Sequence, residues 1–107
     1  MTTRTFQVLL ALVEGPVHGY GIRQRVAERT DGEVKLGSGT LYEVIHRLSA
    51  DGMISEVDPP EAVSGSGGPR RRFYTLTETG RGALRAEVRR MERDVQYARG
   101  VELLSNG

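Results

Sequence analysis

The chain has 107 residues, a formal net charge of +1, 37% hydrophobic and 27% charged residues, and no cysteine. That length suits one domain with a modest core, which dimerisation would enlarge, in a composition ordinary for a soluble globular protein. It excludes disulfides and thiolate metal sites. No apolar run approaches the roughly 18 residues of a membrane span, and Met1 to Thr5 lacks the apolar stretch of a secretory signal, so the cytoplasm is the expected compartment.

Phe6, Leu9, Leu10 and Val13 follow the i, i+3, i+4, i+7 spacing of an amphipathic helix over residues 3–14, which Gly15-Pro16 stops. His18-Gly19-Tyr20-Gly21-Ile22 opens a second helix running to about Arg29, with Ile22 and Val26 inward. Its two early glycines point to a tight turn or to a close neighbouring backbone. A third helix starts at Ser38 or Gly39, with Ser38 as a candidate N-cap. Leu41, Val44, Ile45 and Leu48 form its buried stripe; Tyr42, Glu43 and His46 lie opposite, with Thr40 and Arg47 at the flanks.

Asp51-Gly52 ends that helix, and residues 53–57 and 72–76 read as the two strands of a hairpin. Their connection contains Gly65-Ser66-Gly67-Gly68-Pro69, and the return arm begins with Arg70, Arg71 and Arg72, with no acid between Glu61 and Glu78. Fourteen of the fifteen basic residues are arginine. Arginine forks onto phosphates and guanine edges, although a GC-rich genome gives the same bias. Thr77 caps a last helix with Glu78 at its positive end. Leu84, Val88, Met91, Val95 and Ala98 then make a heptad seam, suited to a partner helix in a homodimer or to folding back on the domain.

Three helices followed by a β-hairpin give a mainly α fold with a small β-hairpin. This is a winged helix-turn-helix over residues 1–77, with a C-terminal dimerisation helix over 78–107. In that fold the second helix braces the third, which enters a major groove about 12 Å wide, while the wing meets the flanking backbone. The candidate DNA-binding set is Tyr20, Ser38, Thr40, Tyr42, His46, Arg47, Arg70, Arg71 and Arg72. Several members have a second reading, and Arg70, Arg71 and Arg72 also suit a solvated wing strand. Tyr20 also suits packing between helices, and Tyr42 the edge of the buried stripe.

The runs His18-Gly19-Tyr20-Gly21-Ile22, Gly39-Thr40-Leu41-Tyr42, His46-Arg47-Leu48, Gly52-Met53-Ile54 and Gly68-Pro69-Arg70-Arg71-Arg72-Phe73-Tyr74-Thr75-Leu76-Thr77, then Gly80-Arg81, resemble the PadR family of regulators in order and spacing. The likeness extends from about Thr5 to Tyr97, and the single last helix looks like the short subfamily. It implies a homodimer joined by C-terminal helices on a palindromic operator, usually as a repressor. It also implies release by small aromatic or drug-like compounds. A cleft between the last helix and the winged domain, near Tyr97 or Phe6, would hold such an effector, though no residue pattern defines one. Many members carry Pro where this chain has Glu43, a carboxylate that repels phosphate but accepts from a cytosine amino group.

No cofactor is expected. The two histidines, His18 and His46, match no metal spacing, and the glycine-rich tip lacks the ending of a phosphate-binding loop. An enzyme is not expected either, for want of any acid–base or nucleophile constellation. The competing reading is a winged-helix protein-interaction module that never touches DNA.

Overall fold

The structure is a computed structural model, and it describes residues 1–60 and 71–103. Arg70 and the glycine-rich connection lie outside the described residues. Helix α1 (Thr3–Ala11) is followed by strand β1 (Val17–His18), α2 (Gly19–Arg29) and α3 (Ser38–Ala50). Strands β2 (Ile54–Val57) and β3 (Phe73–Leu76) come next, and α4 (Glu78–Gly100) closes the order.

The hairpin is present, and a third strand extends it. The sheet order is β1-β3-β2, antiparallel throughout, with His18 opposite Phe73 and Ile54 opposite Leu76. Two residues are too few for alternation to reveal β1; its pairing with β3 defines it.

The core joins Val8, Leu9 and Leu12 near α1 to Ile22, Val26, Leu36, Leu41, Ile45 and Leu48, beneath Ile54, Tyr74 and Leu76 of the sheet. Helix α1 is rotated from the expected face. Val8 and Leu12 are fully buried, Phe6 and Leu10 only partly so, and Val13 is exposed. Packing against α2, α3 and α4 sets this face, and α1 ends at Ala11, so helical spacing no longer aims Val13. Along α3 the expected stripe holds, with Val44 half-buried at its margin.

Caps fix the boundaries. Ser38 is the first residue of α3 and makes no cap; Gly37 takes that position without a side-chain bond. The α3 end is a Schellman turn, in which Gly52 (φ 73°) lets Met53 N–H donate to Leu48 O at 2.9 Å and Gly52 N–H to Ser49 O at 3.1 Å. Met53 then packs against the core, and the chain leaves directly into β2. Thr77 caps α4 as expected, accepting from Gly80 N–H at 3.0 Å.

The start of α4 belongs to the domain. Gly80 and Leu84 are both buried, so Leu84, first in the heptad spacing, packs in the domain's own core. The later seam positions differ: Val88 (39%), Met91 (38%) and Val95 (42%) are exposed and Ala98 is half-buried. At 23 residues α4 is about 35 Å long, and the fold measures 55 × 27 × 26 Å. No described helix is long and apolar enough to cross a membrane.

Candidate nucleic-acid interface

Three arginines on α2 brace the helical layer. Arg23 Nε donates to Leu36 O at 2.7 Å and its guanidinium to Ser38 Oγ at 3.4 Å, tying α2 to the start of α3. Arg25 donates to Ala11 O at 3.1 Å, and Arg29 to Gln7 O and Oε1. These bonds satisfy carbonyls around the ends of α1 and α3, so helix orientation rests on charge-assisted contacts as well as on the core.

On that support the outer face of α3 brings Gly39, Tyr42, Glu43, His46 and Arg47 together around one shallow groove. Tyr42, His46 and Arg47 of the expected set therefore share a surface. Thr40 is half-buried. It lines an adjoining cleft of about 610 Å³ with Arg4, Lys35, Val44 and Arg47, between α3 and the N-terminal end of α1. Ser38 is exposed and engaged by Arg23. Glu43 lines both clefts with Arg47, and Glu33 joins it in the larger one, so carboxylates are set among the basic side chains of this face.

Tyr42 is 51% exposed, and its hydroxyl reaches back to the start of α2. A β-carbon on Gly19 would lie 2.8 Å from that oxygen, so a larger residue here would push the ring aside. The close neighbours implied by the early glycines of α2 are thus side chains, the Tyr42 hydroxyl at Gly19 and a Val17 methyl at Gly21. Tyr20 is 56% exposed and does not fill a space between helices. Its ring runs parallel to that of His18, with centroids 6.5 Å apart.

His18 connects this surface to the wing. Its Nδ1 caps α2 by accepting from Gly21 N–H at 3.0 Å, and its ring stands perpendicular to that of Phe73 with centroids 5.3 Å apart. Its Nε2 lies 3.2 Å from a terminal nitrogen of Arg71. Burial, and then the Arg71 charge, hold the imidazole below its ordinary pKa. Arg72 instead lies 3.5 Å from Glu56 across the hairpin, both side chains being well exposed. Helical periodicity assigns His18 no role beyond opening α2; a polar residue directly before Gly-Tyr-Gly, able to cap, is the one local sign of it.

Comparison with known proteins places this geometry. Residues 8–86 match the model of the transcriptional regulator PadR-like family. The chain belongs to this family. It is 33% identical over 85 residues to the transcriptional regulator Rv3488 of Mycobacterium tuberculosis, covering 79% of this chain and 72% of that one. It is 35% identical over 86 residues to an uncharacterised 37.1 kDa protein in transposon TN4556 of Streptomyces fradiae; that match spans 80% of this chain but 22% of the relative.

Among solved structures, a PadR family transcription regulator from Clostridium difficile R20291 superposes with a TM-score of 0.75 at 25% identity, covering 91% of this chain and 95% of that one. Bacillus subtilis PadR in complex with operator DNA superposes with a TM-score of 0.68 at 20% identity, over 81% of this chain and 47% of its own, a likeness of fold. Four helices with a three-stranded antiparallel sheet are therefore a PadR-type winged helix, and the chain is a transcriptional regulator, not an enzyme.

Proposed function

We propose that this PadR-family protein binds double-stranded operator DNA as a homodimer and acts in the cytoplasm as a repressor. Helix α3 would enter the major groove, presenting Tyr42, His46 and Arg47 to base edges and phosphates, with Ser38 and Thr40 at its flanks. Tyr20, Arg71 and Arg72, with Arg70 beside them in sequence, would meet the backbone on either side. One observation carries this reading: Tyr42 closes on Gly19 while Arg71 closes on His18, so α3, the start of α2 and the wing form one continuous surface.

The exposed Val88, Met91 and Val95 stripe on α4 supports pairing with a second copy. A two-fold dimer presents two recognition helices and so matches a palindromic operator, with half-sites about one helical turn apart or a multiple of it. Release by a small aromatic effector is carried by the family resemblance alone. Phe6 packs against the core and Tyr97 is exposed on α4, so neither defines a cleft by itself.

Fluorescence anisotropy with duplexes tiled across the gene's own upstream region, at two salt concentrations and against a scrambled competitor, tests the reading. Tight, salt-sensitive binding to one tile is expected. Absence of binding at low salt would transfer the function to protein interaction. Adding a panel of small aromatic compounds to the preformed complex tests effector release.

A further inference from the structure

We propose that His18 and Arg71 together clamp one phosphate oxygen of the DNA backbone, His18 acting as a neutral donor through its Nε2–H. The inference rests on the DNA-binding reading above and adds a contact that the wing arginines alone do not supply.

The argument starts from one proton. A nitrogen that accepts carries no hydrogen, so the Nδ1 that caps Gly21 N–H at 3.0 Å leaves the proton of the neutral ring on Nε2. The Nε2 position faces an Arg71 guanidinium nitrogen at 3.2 Å, and guanidinium only donates. Two donors therefore meet at hydrogen-bond distance. The other tautomer would accept from Arg71 but turn Nδ1–H against Gly21 N–H and break the cap of α2. One neutral ring cannot serve both partners. An oxygen with several lone pairs beside Nε2 and the guanidinium satisfies both donors and preserves the cap. Burial and the Arg71 charge, which disfavour a second proton on the ring, act in the same direction.

Position selects a backbone phosphate over a free anion. His18 pairs with Phe73 in the sheet, Arg71 stands two residues before Phe73 at the base of the wing, and Gly19 carries the Tyr42 hydroxyl of the recognition helix. The pair thus sits between α3 and the wing, the two elements that would straddle one strand of a duplex. The ring stands perpendicular to Phe73, lies parallel to Tyr20 and accepts from Gly21 N–H, so its donor is fixed before DNA arrives. Such a contact fixes the protein's placement on the duplex and carries no sequence information.

The test uses a random-sequence duplex and the full chain, with wild type, His18→Asn, Arg71→Ala and the double variant compared by anisotropy over a salt series. Asparagine keeps an oxygen to cap Gly21 N–H but carries no donor out to the Nε2 position. His18→Asn is expected to weaken binding roughly two- to tenfold with an unchanged salt slope, because a neutral donor displaces no counterion. Arg71→Ala should lower both affinity and slope, the slope by about 1. The double variant should lose less than the product of the single losses, since both groups share one oxygen.

Wild-type affinity in His18→Asn, or losses that multiply in the double variant, overturns the clamp. A reduced salt slope in His18→Asn overturns the neutral donor by revealing imidazolium. Nitrogen-15 NMR of the free wild type should find the proton on Nε2, and the opposite tautomer sinks the proposal independently of DNA. Failure of the wild type to bind any duplex at low salt instead refutes the DNA-binding reading, and the clamp with it.

Discussion

The backbone of Gly80 lies so close to Met53 that a β-carbon at position 80 would stand 1.9 Å from the Met53 carbonyl oxygen. The same oxygen accepts from Thr77 N–H at 3.0 Å, and Thr77 Oγ1 donates to Gly52 O at 2.6 Å. The corner between α3 and β2 is thereby fastened to the start of α4, which sets the direction in which α4 leaves the domain. Gly80→Ala must push backbone against backbone, an overpacking of about 1–3 kcal/mol. A fall in Tm on the order of 10 °C follows for a domain of this size. An unchanged melting curve would show that the corner yields freely.

Leu84 and Met91 lie seven residues apart on α4 and should behave oppositely. Leu84 is buried in the core, so Leu84→Ala should cost about 2–5 kcal/mol and lower the urea midpoint. Met91 is exposed, and Met91→Glu with Val88→Glu should leave the single-domain fold intact while producing monomers in sedimentation. A dimer that survives both charges would exclude this stripe as the seam.

Arg72 and Glu56 form an exposed ion pair whose loss should change stability by less than about 1 kcal/mol. Replacing both Arg71 and Arg72 by alanine should nevertheless weaken binding to every duplex and lower the salt slope by about 1 per residue. Equal affinity with and without these arginines would remove the base of the wing from the interface.

Tyr42→Phe separates the two readings of that ring. A tyrosine serving only the edge of the buried stripe loses little in either measurement. A hydroxyl that meets phosphate loses roughly two- to tenfold in duplex affinity, at a stability within about 0.5 kcal/mol of wild type. The loss of affinity is the expected outcome, because the exposed ring holds its hydroxyl on the outer surface over Gly19.

The lowered pKa of His18 gives stability a pH dependence of known sign. Below its ordinary value of 6.5 the unfolded chain takes up the proton more readily than the folded one. The contribution is therefore complete above that value and is lost as pH falls toward the folded pKa; protonation of Nδ1 also breaks the α2 cap. Between about pH 7.5 and pH 5.5 the Tm of His18→Asn should fall less than that of wild type, because asparagine does not titrate in this range. Parallel curves would show that the ring titrates alike in both states.

Periodicity and caps are local properties, and they carried most of the fold. The inward stripe of α3, the Gly52 turn, the hairpin and the Thr77 cap all follow from neighbouring residues in the chain, and the winged-helix order follows from them. Tertiary structure decided what depends on distant partners. Strand β1 exists because Val17 and His18 find Tyr74 and Phe73, and α1 turns Val8 and Leu12 inward because three other helices surround it. Leu84 fits a heptad as well as Met91 does, yet packing against the domain gives it to the core. The junction of Gly19 with Tyr42 and of His18 with Arg71 has no signature in spacing at all. It joins residues 23 and 53 positions apart, brought together by the sheet and the helix pair.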